Sequence, residues 1–324
     1  RPSAPLRVNM VEAPRGQGEL LQVARDAAGL VVTQDRQSMS AWAATLGLDP
    51  GAALEGRARL DARRTIFASR PLDAGGRAAR LSVFIVEDGA PPRRLFDIES
   101  PIAGRVTFVR TGQSVLVAWS TRTFAAPPTS PIFQDDFNEA ICASEPRTRI
   151  ERRDLASGAL EAVADLKGRY VNAAALAATG DILLGGEAQA ACSEARASVL
   201  AVDKDLRVRD LYRDASLGTS DVRALAALPD GRVFVAASKV STVEYRPPAG
   251  APAAVSRDMA ARALYGGMTF LIGPDGRASE ALMLDAGTTL TVDAADASDP
   301  QDILLAGGIG DRPAIFRLSA APAQ

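Results

Sequence analysis

Val222-Arg-Ala-Leu-Ala-Ala-Leu-Pro-Asp-Gly231 running into Arg232-Val-Phe-Val-Ala-Ala237 is the stretch on which the fold turns. Two apolar segments, each too short for a core helix, flank a Pro-Asp-Gly turn, and the second is β-branched and aromatic, so the phrase reads as a β-hairpin. A near copy stands 51 residues earlier, Asn172-Ala-Ala-Ala-Leu-Ala-Ala-Thr-Gly180 into Asp181-Ile-Leu-Leu-Gly-Gly186. Self-similarity at such a period marks a repeat architecture in which each unit buries its faces against its neighbours. Weaker copies are Gly104–Gly112 into Ser114–Ala118, Glu19–Gly29 into Leu30–Thr33, and Asp302–Gly308; Arg64–Ser69 and Leu81–Val86 mark a further unit.

Two more strands follow each clear hairpin. Thr148–Asp154 then Leu160–Ala164, and Ser198–Asp203 then Val208–Tyr212, are each joined by a short polar turn, Leu155–Gly158 or Lys204-Asp205. Four strands per unit predict an all-β protein, a β-propeller. No segment carries the sustained 3.6-residue periodicity of a core helix. At about 50 to 55 residues per blade, 324 residues predict about six blades, or seven if one is compact, in a single domain spanning 1–324. A ring must also close. The last unit runs out at its third strand, Ala314–Leu318, while Leu6–Val11 is an unassigned strand at the other end, so the N-terminal strand is expected to complete the last blade and satisfy both edges.

Leu228–Ala236 followed by Ser241-Thr-Val-Glu-Tyr-Arg-Pro247, with the Gly185-Gly186 and Gly307-Gly308 pairs ending second strands, resembles the kelch-type blade. The likeness is clearest over 172–250 and 302–318. It implies the propeller fold. The copper oxidase of that family holds its metal with histidines, and this chain has none, so that activity is not implied here.

The absence of histidine reaches further. It removes the Ser-His-Asp and Cys-His nucleophile schemes, HExxH zinc sites, His-ligated haem and His-based copper. With 37 basic and 39 acidic residues the net charge is −2, which leaves no positive excess to neutralise a run of phosphates, so no nucleic-acid partner is expected. The longest apolar runs, such as Val115–Trp119, have strand length, and no transmembrane segment is expected. The chain opens on Arg1, which sets the expectation of a signal peptide already removed and a secreted or periplasmic protein.

Cys142 and Cys192 fall 50 residues apart at equivalent places, each just before the third strand of its unit. Equivalent loops of adjacent blades lie side by side, so a disulfide between them is expected, worth roughly 3 to 4 kcal/mol in the chain-entropy model. The reading of a reactive thiol or a metal-ligand pair is weaker, because no other ligand stands at suitable spacing. The insertion at about 121–146 carries Phe124, Phe133 and Phe137 beside Asp135, Asp136, Asn138 and Glu139. Long loops are often functional. Read as a packed flap, it covers one face of the ring; read functionally, its aromatics contact a partner or ligand and its acids hold Ca²⁺. Asp293, Asp296 and Asp299 read first as a solvated turn before a strand and second as a calcium loop. Arg57, Arg59, Arg63 and Arg64, and Arg147, Arg149, Arg152 and Arg153, read as solvated outer strands, with Arg147, Arg149 and Arg153 sharing a face with Glu151. Trp42 and Trp119 read as blade core.

These observations set the expectation of a non-catalytic extracytoplasmic binding or scaffold propeller that contacts a protein or envelope partner through its loop face, with no cofactor. The alternatives are a calcium-dependent propeller hydrolase or lactonase, and a propeller subunit of a larger enzyme complex.

Overall fold

The computed structural model describes residues 6–12, 20–25, 31–35, 45, 53–70, 81–98, 103–123, 145–191, 194–215, 220–242, 263–279, 281–284, 290–297, 299, 302–309 and 312–320. The chain is all-β, built as a propeller of antiparallel four-stranded sheets. One sheet holds β4 (Ala53–Arg59), β5 (Arg64–Arg70), β6 (Leu81–Glu87) and β7 (Arg93–Ile98); the next holds β8 (Ala103–Thr111), β9 (Ser114–Thr123), β10 (Glu145–Asp154) and β11 (Leu160–Lys167). A third contains β12 (Arg169–Leu176), β13 (Ile182–Ala191), β14 (Glu194–Val202) and β15 (Val208–Arg213), and a fourth β16 (Ser220–Ala227), β17 (Val233–Thr242), β18 (Ala263–Ile272) and β19 (Leu282–Leu284). The fifth is composite. β20 (Leu290–Asp296), β21 (Asp302–Ile309) and β22 (Arg312–Ala320) are completed by β1 (Leu6–Glu12), which pairs antiparallel with β22 from Leu6↔Ala320 to Glu12↔Ala314. The expected ring closure by the N-terminal strand is therefore present.

Five four-stranded sheets stand among the described residues, where the repeats predicted six or seven. β2 (Leu20–Arg25) and β3 (Val31–Asp35) form a two-stranded sheet, with β2 packed on β20 and β21 as the inner strands β8, β12 and β16 pack on one another. That hairpin stands beside the sheet of β20 and β21 and is not a complete blade among the described residues. The expected count divided the whole length by that of a blade, and the stretches between described strands, as from Thr123 to Glu145 and from Thr242 to Ala263, add length without adding a described sheet.

The core lies between sheets. Ile66, Ala68, Val83 and Phe96 of one sheet pack with Val106, Val115, Val117 and Trp119 of the next. Leu116, Ala118 and Ile150 meet Ile182, Leu184 and Leu200, and Leu183, Val199 and Ala201 meet Val222, Val235 and Phe270. Ala224, Phe234 and Ala236 then meet Leu290, Val292, Leu305 and Phe316. Second strands are covered on both faces, which explains their continuous apolar runs: Val115–Ala118, Ile182–Leu184, Val233–Ala237 and Ile303–Ala306 are all buried.

The first and second strands meet in tight hairpins. Gly180 and Gly231 take φ of 87° and 83°, and their N–H groups donate to the carbonyls of Ala177 and Leu228 at 2.9 and 3.0 Å. Only glycine adopts that conformation without strain, which is why both repeats place it there.

Several expectations are corrected. Arg57 and Arg59 lie on β4, an innermost strand packed against β8, and not on an outer strand. Arg63 ends the β4–β5 turn and Arg64 begins β5. Asp293 and Asp296 belong to inner strand β20; only Asp299 stands in the bend before β21. Arg149 and Arg153 do share a face with Glu151, but that carboxylate is 4% exposed and clamped by Arg149 Nε at 2.8 Å and Arg153 Nε at 2.7 Å, so the row is a sheet-to-sheet seam. Arg153 also lies over the Phe96 ring, 4.2 Å from its centroid. Trp119 is buried as expected; Trp42 lies outside the described residues.

Candidate binding site at the axial mouth

Each inner strand has the same local irregularity. Pairing with the second strand slips by an inserted residue between Leu20 and Gln22, Leu54 and Gly56, Val171 and Ala173, Val222 and Ala224, and Val292 and Ala294, and by a wider bulge between Ala103 and Thr107. A β-bulge re-aims the extra side chain out of the pleat. The residues so released include Glu55, Arg105, Asn172, Arg223 and Asp293, all polar, in strands whose neighbouring positions are apolar. The bulges sit in the N-terminal half of their strands, that of β20 at its midpoint. In an antiparallel blade that end also carries the connections from second to third strand. The longest of these, β5–β6, β9–β10 and β17–β18, therefore share one face with the bulges, whereas the opposite face is made of short hairpins.

One glycine of each di-glycine, the second in Gly185-Gly186 and the first in Gly307-Gly308, belongs to this device. A Cβ on Gly186 would lie 1.8 Å from the carbonyl oxygen of Tyr170, and one on Gly307 would lie 1.9 Å from that of Thr291. The bulge folds the inner strand over its neighbour here, and only glycine permits the approach.

Arg105 and Asp293 meet although their sheets are separated around the ring by those of β12 and β16. Arg105 Nη1 donates to the Asp293 carbonyl oxygen at 2.8 Å and Nη2 lies 3.6 Å from Asp293 Oδ1, so the pair spans the axis. Asn172 Nδ2 donates to both oxygens of Asp221 at 2.9 Å, and Arg223 Nε lies 2.9 Å from Asp221 Oδ2. On the far side, Arg70 Nε lies 3.3 Å from Glu55 Oε1. These ion pairs thus set Arg70, Arg105 and Arg223 against Glu55, Asp293 and Asp221 in turn. Two residues along β4, burial first and Arg59 second hold the Arg57 guanidinium below its ordinary value.

Buried hydroxyls tie adjacent sheets at the same end. The Val171 N–H donates to Ser120 Oγ at 2.8 Å, Ser120 Oγ lies 2.8 Å from Thr148 Oγ1, and Thr148 Oγ1 donates to the Arg169 carbonyl at 2.8 Å. One sheet on, the Ala197 N–H donates to Ser220 Oγ at 2.9 Å, and Ser220 Oγ donates to Asp214 Oδ2 at 2.7 Å. These bonds fix the strand ends from which the bulges project.

Of the residues weighed as sites from sequence, Asp293, read there as part of a turn or calcium loop, is among these. Phe124, Phe133, Phe137, Asp135, Asp136, Asn138, Glu139, Cys142 and Cys192 lie outside the described residues. In chain position, both cysteines fall in second-to-third-strand connections of neighbouring sheets, between β9 and β10 and between β13 and β14. Among the described residues no cluster of three or more Cys, Asp or Glu is arranged to hold a metal ion, and no helix is long and apolar enough to cross a membrane. The bulged residues were missed because a polar residue inside an apolar run looks like ordinary alternation. Their signal is the recurring phrase Val171-Asn-Ala173, Val222-Arg-Ala224, Val292-Asp-Ala294.

No family model matches the chain, and no curated protein does. Solved structures do share its architecture. A glucose dehydrogenase aligns over 97% of this chain and 99% of its own at 11% identity, with a TM-score of 0.52. A second glucose dehydrogenase aligns over 97% and 100% at 10% identity and TM-score 0.51. A Trichoderma reesei carbohydrate-active enzyme of family AA12 aligns over 99% and 98% at 9% identity and TM-score 0.51. At these identities the likeness is one of fold: the chain is similar to these propellers in the arrangement of its sheets.

Proposed function

We propose that this propeller is an extracytoplasmic binding module that engages a protein or envelope partner through the face bearing the axial mouth and the long connections. The observation that carries the reading is the convergence of bulged polar side chains, one released by each of five inner strands, at the end where the chain also spends its longest excursions. Bulges are maintained where a side chain must be re-aimed, and surface loops on a rigid scaffold are where recognition concentrates. The opposite face offers tight hairpins closed on their own backbones, such as Asp154 Oδ1 accepting from the N–H groups of Ala156 and Ser157. The seven-pair closure between β1 and β22 suits a scaffold that holds its shape while bound. A disulfide between Cys142 and Cys192 would strap two neighbouring connections of the same face, and its presence would place the protein in an oxidising compartment.

Site-directed photo-cross-linking of the full chain in its own cells tests this. A photoreactive residue in place of Arg147, near the mouth end of β10, is expected to give a recurrent adduct. The same group in place of Lys204 or Asp275, in hairpins of the opposite face, is expected to give none. Adducts mainly from Lys204 or Asp275 would refute the assignment of the face.

A further inference from the structure

We propose that the axial mouth holds a ligand carboxylate end-on, with Arg223 as the receiving group. Arg223 projects from the innermost strand between Val222, 0% exposed, and Ala224, 5% exposed, yet its own side chain is 39% exposed, so it is released from the packed sheet interface at the bulge. It is not a free surface arginine. Its Nε is pinned by Asp221, whose side chain is 11% exposed and is itself gripped by Asn172 from the neighbouring sheet. The head group is thereby oriented before any ligand arrives, and no other partner of Arg223 stands among the described residues. With Nε taken by Asp221, the Nη1–Nη2 edge is the planar two-donor fork left for a ligand.

Charge balance selects the ligand. Arg70, Arg105 and Arg223 are each already faced by a carboxylate, of Glu55, Asp293 and Asp221 in turn, so these three pairs add no net positive field for a phosphate carrying close to two charges. A monoanionic, planar carboxylate needs only one fork and fits its geometry bidentately. The Arg105–Asp293 pair spans the axis, so a ligand entering from the mouth meets a barrier and must end there. That favours a terminal group, whether a small free acid or the C-terminal carboxylate of a polypeptide. Arg223 and Asp221 act as receiver and positioning residue for this group, and Asn172 positions Asp221.

This inference rests on the mouth-bearing face being the recognition face, and its test is separate. The chain is labelled with ¹⁵N-arginine and the Arg223 Nε resonance is identified by its loss in Arg223→Gln. Three probes are titrated: sodium acetate, acetyl-trialanine with a free carboxylate, and the same peptide as its C-terminal amide, with inorganic phosphate as competitor. The expected result is a saturable shift at Arg223 for the carboxylates, binding about tenfold weaker for the amide, and a similar loss in Arg223→Lys, which keeps charge but not the fork. Equal affinity for acetate and peptide assigns the site to small acids; tighter peptide binding assigns it to a chain terminus. Equal shifts by acid and amide, no shift at Arg223, or stronger competition by phosphate than by acetate overturns the proposal. Should Arg223→Gln not fold, Arg223→Lys supplies the identification. Adducts at Arg147 with no preference for the acid would sink this inference alone, whereas adducts at Lys204 would sink the reading of the face.

Discussion

Replacing Gly186 by alanine should damage the fold out of proportion to one methyl group. The added Cβ would lie 1.8 Å from the Tyr170 carbonyl oxygen, 2.8 Å from its carbon and 2.9 Å from Val171 Cα, all backbone. No side chain can rotate away, so strand β12 must move by more than an ångström to restore contact distance. The movement strains a packed interface, typically about 1 to 3 kcal/mol, and weakens the ladder bonds flanking the Asn172 bulge, each worth about 1 kcal/mol. The sum is a loss of about 3 kcal/mol. Gly266→Ala is the matched control, because the nearest atoms to its Cβ lie 3.8 Å away and it stands in a regular strand. There alanine should be neutral or stabilising by about 0.5 kcal/mol through the lower entropy of the unfolded chain. Urea unfolding followed by intrinsic tryptophan fluorescence reads both, with unchanged slope confirming that the same surface is exposed. If Gly186→Ala falls within about 0.5 kcal/mol of the parent, the account of why glycine faces the bulge is wrong.

Removing residues 6–12 should open the ring, because β22 keeps β21 but loses its outer partner from Ala314 to Ala320; limited proteolysis is expected to cut near β22, and a truncated chain as resistant as the parent would contradict closure by β1. Asp61 is held down to about 2, first by hydrogen bonding to the Arg64 side chain and then by the Arg63 N–H; Arg110 from the next sheet also pairs with it at 2.8 Å. A depressed carboxylate contributes stability above its ordinary 3.8 and loses it as pH falls toward about 2. The stability gap between the parent and Asp61→Asn should therefore be constant near neutrality and close through that window, and a gap independent of pH would refute it. Non-reducing peptide mapping should find Cys142 joined to Cys192, with reduction costing roughly 3 to 4 kcal/mol, and two free thiols in protein purified from an oxidising compartment would remove the strap.

The repeat was readable in the chain because a blade's second strand is buried on both faces and therefore continuously apolar. Ile182–Leu184, Val233–Ala237 and Ile303–Ala306 show this, and the Gly180 and Gly231 turns mark the strand ends through local backbone chemistry alone. The closing strand was readable for a similar reason, since an unfinished last unit and a spare first strand can be matched without coordinates. Arg57 and Asp293 were misplaced because charge suggests solvent, and a polar residue facing the axis of a ring has the sequence signature of one facing outside. The ring order that brings Arg105 to Asp293, 188 positions apart, arises from closure of the whole chain and has no local trace. Strand length, turn chemistry and burial pattern are short-range properties, so the amino-acid sequence by itself determined the all-β repeat and its closure. Which bulged side chains meet around the axis, and so where the protein presents its recognition chemistry, was decided only when the sheets were assembled, because that proximity depends on the geometry of the complete ring.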